Sequence, residues 1–301
     1  VKPKHVVSIS PGSSSRNSRI ETQLLGQDIL IERIGTDGDM TKVGEMFAEL
    51  DGQVDAFGLG GTDLFLQVSG KRYYLRDSLK LVAKVRKTPI VCGAGLKNTL
   101  ERMIVADLDG MVHWKDKKVL MVLAVDRFGM AETLVHYQAD VLFGDLMFGL
   151  GVPIPLKSLK SLTRVAMVTS PIVTRLPLSW VYPIGKKQEE TVNGWRDKYF
   201  QWAEVIAGDF HYIRRFAPQD LKDKIILTNT TTTSDVQMLK SRGVKTLITT
   251  TPRYDGRSLS TNMLEAAFVA ISGKHPLSAE DYRELIVSSG IKPDILQFGN
   301  P

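Results

Sequence analysis

Residues 117–145, KKVLMVLAVDRFGMAETLVHYQADVLFGD, carry the densest chemical signal in the chain. An apolar β-type run from Val119 to Val125 meets a turn at Asp126-Arg127-Phe128-Gly129. An amphipathic helix follows from about Met130 to Gln138, and a second apolar run, Val141 to Phe143, ends at Asp145. This is the order of the first strand–helix–strand unit of a dinucleotide-binding domain. The three glycines of that fingerprint allow a tight turn, close approach of pyrophosphate, and close helix packing. Here the GxGxxG template falls on Ala124 to Gly129, so only the third glycine is present. Asp126 puts a carboxylate where a pyrophosphate would approach. Arg127 beside it can compensate, by pairing with phosphate or with Asp126. Asp145 lies 19 residues after Asp126, the separation expected of the acid that holds an adenosine ribose, and a carboxylate there favours NAD over NADP. The bland alternative is an α/β domain that binds no dinucleotide.

Other polar groups fall at predicted strand ends. Cys92-Gly93-Ala94-Gly95 links a strand to a helix carrying Lys97, and such a glycine pair can cradle an anion. A desolvated lysine can act as general acid or base, although a solvated lysine beside a turn is equally compatible with the pattern. Phe57-Gly58-Leu59-Gly60-Gly61-Thr62-Asp63 is a second glycine-rich strand end that delivers a carboxylate. If Asp63 meets Lys97, the two make an acid–base pair able to move a hydroxyl proton. The polar stretch Ser10–Arg19 offers hydroxyls, Arg16 and Arg19 to a polyol or carboxylate, or is simply a surface loop. Thr230, Thr231 and Thr250 stand at predicted C-terminal strand ends, where α/β sheets bind ligands. Threonine also simply favours strands.

Several chemistries lack their signature. The five histidines show no paired ligand spacing, so no metal is expected. A GxSxG elbow is missing. Cys92, the one cysteine, reads as a buried strand-end thiol and fits a reducing cytoplasm.

The elements that must position these groups follow from the rest of the pattern. The chain has 301 residues, 43% hydrophobic and 24% charged, which is ordinary globular composition at a length suggesting two domains. The net charge of +6 is spread out, so anionic small ligands, and not nucleic acid, are the expected use of surplus positive charge. No apolar run approaches a membrane span. Strand signals alternate with helix signals, which argues for a doubly wound parallel sheet. The boundaries expected are 1–112 for a substrate-binding α/β domain, 113–276 for a Rossmann-like domain with an insertion at about 149–200, and 277–301 for a C-terminal helix folding back. Residues 149–187 are apolar and proline-rich, too interrupted for one long helix. They read as a cleft cover, an apolar substrate pocket or an oligomer contact.

The stretches ERIGTDGDM, GLKNTLER, VDRFGMAE, LTNTTT and TTTPRYDGRS resemble a bacterial group carried under the name quinate 5-dehydrogenase, over most of the chain. More distantly, the order of domains resembles the shikimate and quinate dehydrogenases. That resemblance implies a substrate-binding serine pair, for which Ser13 and Ser15 stand, and a catalytic Lys–Asp pair, for which Lys97 and Asp63 stand. It also implies a glycine-rich NAD(P) turn. The chain departs from the family pattern in having no Asn-Val-Thr-x-Pro-x-Lys run around Lys97 and no GxGGA turn.

The expectation is therefore an α/β protein of two domains, the second Rossmann-like, cytoplasmic and a homo-oligomer such as a dimer. It would act as an NAD(P)-dependent oxidoreductase on a hydroxylated carboxylate held by Ser13, Ser15 and Arg16. Lys97 and Asp63 would serve catalysis, and Asp126, Arg127, Phe128, Gly129, Asp145, Thr230, Thr231 and Thr250 would hold the cofactor. Two rivals stay open: a non-redox binding or regulatory protein on the same fold, and a reductase or transferase for a larger apolar substrate.

Overall fold

The computed structural model describes residues 2–181 and 194–299. Two compact units emerge, and the chain passes between them repeatedly. The first comprises 1–96, 169–188 and 260–291, and the second 97–168, 189–259 and 292–301.

The first unit opens with β1 (Lys4–Ser10), β2 (Ser18–Leu24) and β3 (Gln27–Gly35). A two-residue turn, Leu25-Gly26, joins β2 to β3 with both residues at positive φ, the geometry that matches the twist of a hairpin. Next come α1 (Met40–Leu50), β4 (Ala56–Leu59), the hairpin β5 (Phe65–Val68) and β6 (Lys71–Tyr74), α2 (Arg76–Leu81) and β7 (Ile90–Val91). Asp39 starts α1 by accepting from the Lys42 amide at 2.9 Å. Val43 and Phe47, four apart, are buried by it, and Phe47 meets Phe57 of β4 edge-on at 5.1 Å. The sheet order is β2-β3-β1-β4-β7, parallel except for edge strand β2.

The second unit contains the rest of α3 (Ala94–Asn98), then α4 (Leu100–Asp107), α5 (Asp109–Val112), β8 (Lys118–Met121), α6 (Phe128–His136) and β9 (Asp140–Phe143). After α7 (Leu159–Val173), whose end enters the first unit, and α8 (Leu178–Val181), which lies in the first unit, come α9 (Asp197–Trp202), β10 (Val205–Ala207), α10 (Phe210–Phe216), β11 (Ile225–Thr228), α11 (Thr233–Ser241) and β12 (Thr246–Thr249). A small hairpin, β13 (Arg253–Tyr254) and β14 (Arg257–Ser258), follows; the chain then returns to the first unit for α12 (Thr261–Ser272) and α13 (Ala279–Ser289), and β15 (Asp294–Gln297) joins the second sheet. The order here is β15-β12-β11-β10-β8-β9, parallel except for β15. The protein is thus a two-unit α/β fold, the second unit Rossmann-like. In each sheet the strand order reverses beside the first strand, between β1 and β4 in one and between β8 and β10 in the other. Open parallel sheets leave a crevice for ligands at such a reversal, outside the carboxyl ends of the strands.

Several expectations need correction. The expected boundary at 112 falls inside the second unit, because α4 packs on α6 there. Helix α12, expected in the second domain, belongs to the first. Residues Thr261 to Ala270 are all buried, and the helix packs on β1, β3, β4 and β7. The C-terminal stretch is split, with α13 in the first unit and β15 completing the second sheet. Of the polar stretch Ser10–Arg19, residues 11–17 connect the strands, Ser10 ends β1 and β2 begins at Ser18. Residues 149–181 do not form one long helix, as expected: α7 ends at Val173, two residues after Pro171, and α8 starts afresh at Leu178. Asp77 sits inside the first turn of α2, and Leu75 is the cap residue. The remainder of the expected insertion, 182–193, lies outside the described residues.

Candidate ligand site at the strand ends of the second unit

The turn expected to hold pyrophosphate runs from the end of β8 through Ala124, a single 3-10 turn at Val125–Arg127 and the start of α6. Asp145 follows β9, as expected, and its carboxylate turns back onto this turn. Oδ1 accepts from the Ala124 amide at 3.0 Å and from the Val125 amide at 2.9 Å. Oδ2 is buried without a hydrogen-bond partner. Burial pushes the carboxyl up to about 6, against the pull of the two amides. A charged form short of solvent is disfavoured, and two donors recover only part of the loss. Gly129 does keep a packing role. A Cβ there would lie 3.1 Å from Asn98 Cα and 3.0 Å from Arg102 Nε, so the glycine lets α6 lie against the junction of α3 and α4.

Arg127 is not available to a phosphate. It is almost wholly buried, ion-paired with Glu101, and 3.4 Å from Asp209 Oδ2. Burial acts to lower its pKa, but Glu101, Asp209 and Asp126 outweigh that, so the guanidinium stays charged. Glu101 is also completely buried, and that burial pushes its carboxyl up against the attraction of Arg127. Asp209 follows β10 and also caps α10, its Oδ1 accepting from the His211 amide at 2.9 Å. Asp126 is instead neutralised by Lys97, whose Nζ stands 2.7 Å from Asp126 Oδ1, with both side chains about nine-tenths buried. The reversal point between β8 and β10 therefore holds two cations, each paired with carboxylates of the chain itself. Phe128, also expected near a cofactor, begins α6 and is buried.

At the ends of β11 and β12 the expected threonines divide by role. Thr231 is committed to structure: its amide donates to Ser258 Oγ at 2.7 Å, and Arg253 donates to its hydroxyl at 3.3 Å. Thr232 caps α11 reciprocally with Asp235. Thr230 has φ +48°, a conformation that costs a β-branched residue energy and often marks a functional turn. Thr250 Oγ1 and Asn229 Oδ1 are buried acceptors without a hydrogen-bond partner.

The first unit contains the other expected residues. Ser13 and Ser15 share a hydrogen bond at 2.7 Å, and Ser13 caps the short 3-10 turn Ser14–Arg16. The loop is tied down by amides of Thr36, Asp37 and Gly38 that donate to Ser10, Gly12 and Pro11 carbonyls. Arg16 is half-buried beside it, and Asp63 is buried in the turn after β4. Asp63 belongs to the first unit and Lys97 to the second.

Sequence reasoning missed Glu101. A signal for Glu101 existed, because it precedes Ile104 and Val105 by three and four positions and so shares their apolar helix face. Among the described residues no group of three or more His, Cys, Asp or Glu side chains could hold a metal ion. None of the described helices is long and apolar enough to cross a membrane.

Residues 95–298 match a family model described as a domain of unknown function (DUF8754), which is more than half of the chain. The chain belongs to the DUF8754 family. Residues 5–92 match a second model, a domain of unknown function (DUF8753). The DUF8754 region contains every residue of the strand-end site, from Lys97 to Thr250. No curated protein matches the sequence. Among solved structures, a galactofuranose binding protein is similar with TM-score 0.39 and 11% identity, covering 98% of this chain and 95% of that one. A glucose-galactose binding protein from Geobacillus stearothermophilus follows with TM-score 0.36 and 8% identity, covering 99% and 98%. One of the subunits of dipicolinate synthase from Bacillus halodurans has TM-score 0.28 and 11% identity, covering 90% and 98%.

The residues present do not fit a pyridine dinucleotide at its pyrophosphate. The Ala124 and Val125 amides already serve Asp145, Asp126 adds a carboxylate to the turn, and Arg127 is held by Glu101 and Asp209.

Proposed function

We propose that this DUF8754 protein is a non-redox binding or regulatory protein that takes a small ligand at the strand ends of its second unit. One observation carries the reading: the turn that would cradle pyrophosphate is filled by the Asp145 carboxylate. A polyanion would have to displace that carboxylate and approach Asp126. A ligand without phosphates avoids both costs and can offer hydroxyl or amine donors to Asp145 Oδ2, Asn229 Oδ1 and Thr250 Oγ1. Buried acceptors left without donors are costly, so a donor supplied on binding contributes affinity. Because these atoms are covered, the loops around them have to open for the ligand to enter.

A thermal-shift and calorimetric panel tests this, with NAD and NADP set against neutral polyols and amines. Saturable stabilisation by a phosphate-free compound, and none by NAD or NADP, is the expected result. Saturable binding of either dinucleotide would overturn it and favour the second reading.

That second reading is an NAD(P)-dependent dehydrogenase acting on a hydroxylated carboxylate. The Lys97–Asp126 contact supports it. Two such groups in hydrogen-bond reach can pass a hydroxyl proton from Lys97 to Asp126. In this reading Lys97→Arg, which keeps Asp126 paired but cannot take up a proton, abolishes turnover while leaving the melting temperature within a few degrees.

A further inference from the structure

Two arginines of the second unit stand together without a counterion from the described chain. Arg196 immediately precedes α9, and its Nε donates to the Met147 carbonyl at 3.0 Å. Its guanidinium lies over two rings, 4.4 Å from the Trp195 centroid and 4.6 Å from the Phe216 centroid. Arg215, near the end of α10, holds its guanidinium 5.5 Å from the same Phe216 ring. The two charges are therefore no farther apart than the sum of the two Phe216 distances. Both residues are half-buried. Among the described residues neither forms an ion pair, and Arg215 Nε is buried without a hydrogen-bond partner. The acids that flank them in the chain are occupied elsewhere. Asp197 accepts from the Gly194 amide at 3.4 Å, and Asp220 from the Lys222 amide at 2.9 Å. Asp209 faces Arg127 and the His211 amide.

A charge short of water and without a partner is costly. A carboxylate so placed can take up a proton, the direction in which burial pushes Glu101 and Asp145. An arginine has no such escape, because its guanidinium is not deprotonated in proteins. Burial holds Arg196 below its ordinary value, and repulsion from Arg215 lowers it further. The contacts with Trp195 and Phe216 keep the Arg196 guanidinium in place, and Met147 uses only its Nε. The terminal nitrogens, whose paired N–H groups match a carboxylate or a phosphate, remain for a ligand.

We infer that Arg196 and Arg215 form a binding site for a small dianionic oxyanion, a dicarboxylate or a phosphate, seated beside Phe216 with oxygens on both guanidinium groups. The site uses none of Asp145, Asn229 and Thr250, and it stands or falls apart from the strand-end reading.

Calorimetry on the full chain, at fixed ionic strength so that general screening is constant, compares malonate and inorganic phosphate with acetate and malonamide. At least one of the two dianions is expected to bind saturably and at least fivefold tighter than acetate, with no binding of malonamide. A preference for malonate marks a carboxylate ligand and a preference for phosphate a phosphoryl one, and either supports the site. Arg196→Gln and Arg215→Gln are each expected to weaken the preferred dianion at least tenfold, with circular dichroism reporting folded protein. Arg196→Lys and Arg215→Lys keep the charge but lose the fork, and are expected to weaken it at least threefold. Lys198→Gln removes a neighbouring exposed charge and is expected to leave the affinity within twofold. No saturable binding of either dianion, acetate bound as tightly as both, unchanged affinity in both glutamine variants, or an equal loss in Lys198→Gln would each overturn the assignment.

Discussion

At the scale of single residues, the second unit rests on charges hidden from water. Asp145 is the most informative. Its carboxyl is pushed up to about 6 from an ordinary 3.8 by burial, so the folded protein holds that proton more tightly than the unfolded chain. The associated stability is fully present below the unfolded value and is lost as pH rises from about 4 to about 6. The loss amounts to about 3 kcal/mol for a shift of this size. Asp145→Asn keeps an acceptor for the Ala124 and Val125 amides and removes the titration. Urea unfolding across that window is expected to show a flatter pH profile in Asp145→Asn than in the parent. Asp145→Ala strands both amides and is expected to lose about 1–3 kcal/mol at pH 5. An unaltered profile in Asp145→Asn would remove Asp145 as the titrating group. Arg127 makes a second prediction. Arg127→Met leaves Glu101 and Asp209 without their shared cation, and breaking such a buried pair costs about 3–5 kcal/mol. Chemical denaturation measures it, and a loss under 1 kcal/mol would mean that Glu101 simply takes up a proton.

At the scale of elements, most helices and strands were legible from periodicity and caps. The helix at α11 was readable from its apolar spacing, and its start is fixed by Thr232 and Asp235, each accepting from the other's amide. Thr232→Ala is expected to cost about 1 kcal/mol, seen as a lower melting temperature. An undiminished melting temperature would show that Arg214, 2.9 Å from Asp235, holds the helix start alone. Strand β2 was hidden because Ser18, Arg19, Glu21 and Gln23 make it look like loop. An edge strand needs apolar residues only on its inner face, and charges on the outer face protect it from other chains. Strand β15 was hidden by its length and position, since a four-residue run reads as strand only when β12 is there to pair with it. Asp126, Arg127 and Lys97 were recognised as site residues, yet their pairing was not, and Glu101 was missed. The sequence places Arg127 beside Asp126. Only the packing of α4 on α6 brings Glu101 to Arg127 and leaves Asp126 to Lys97.

At the scale of the whole molecule, chain order and unit membership part company. Helix α12 is more than 160 residues from α3 in sequence, yet it covers β1, β3, β4 and β7 of the first unit. A fragment of residues 1–96 therefore lacks one cover of its sheet. It is expected to be unfolded by circular dichroism and amide dispersion, while adding 260–291 through a short linker is expected to recover part of the fold. A cooperatively folded 1–96 fragment would contradict this role for α12. The sequence by itself determined the α/β class, the two-unit scale, the parallel strands and the strand–turn–helix–strand unit ending at Asp145, because those depend on local periodicity and on turn chemistry. Only the tertiary structure decided where the units divide, that Asp145 turns inward onto Ala124 and Val125, and that each cation at the reversal point is already matched. Those outcomes depend on which distant segments share a buried space, where a charge left without a partner is too costly to keep.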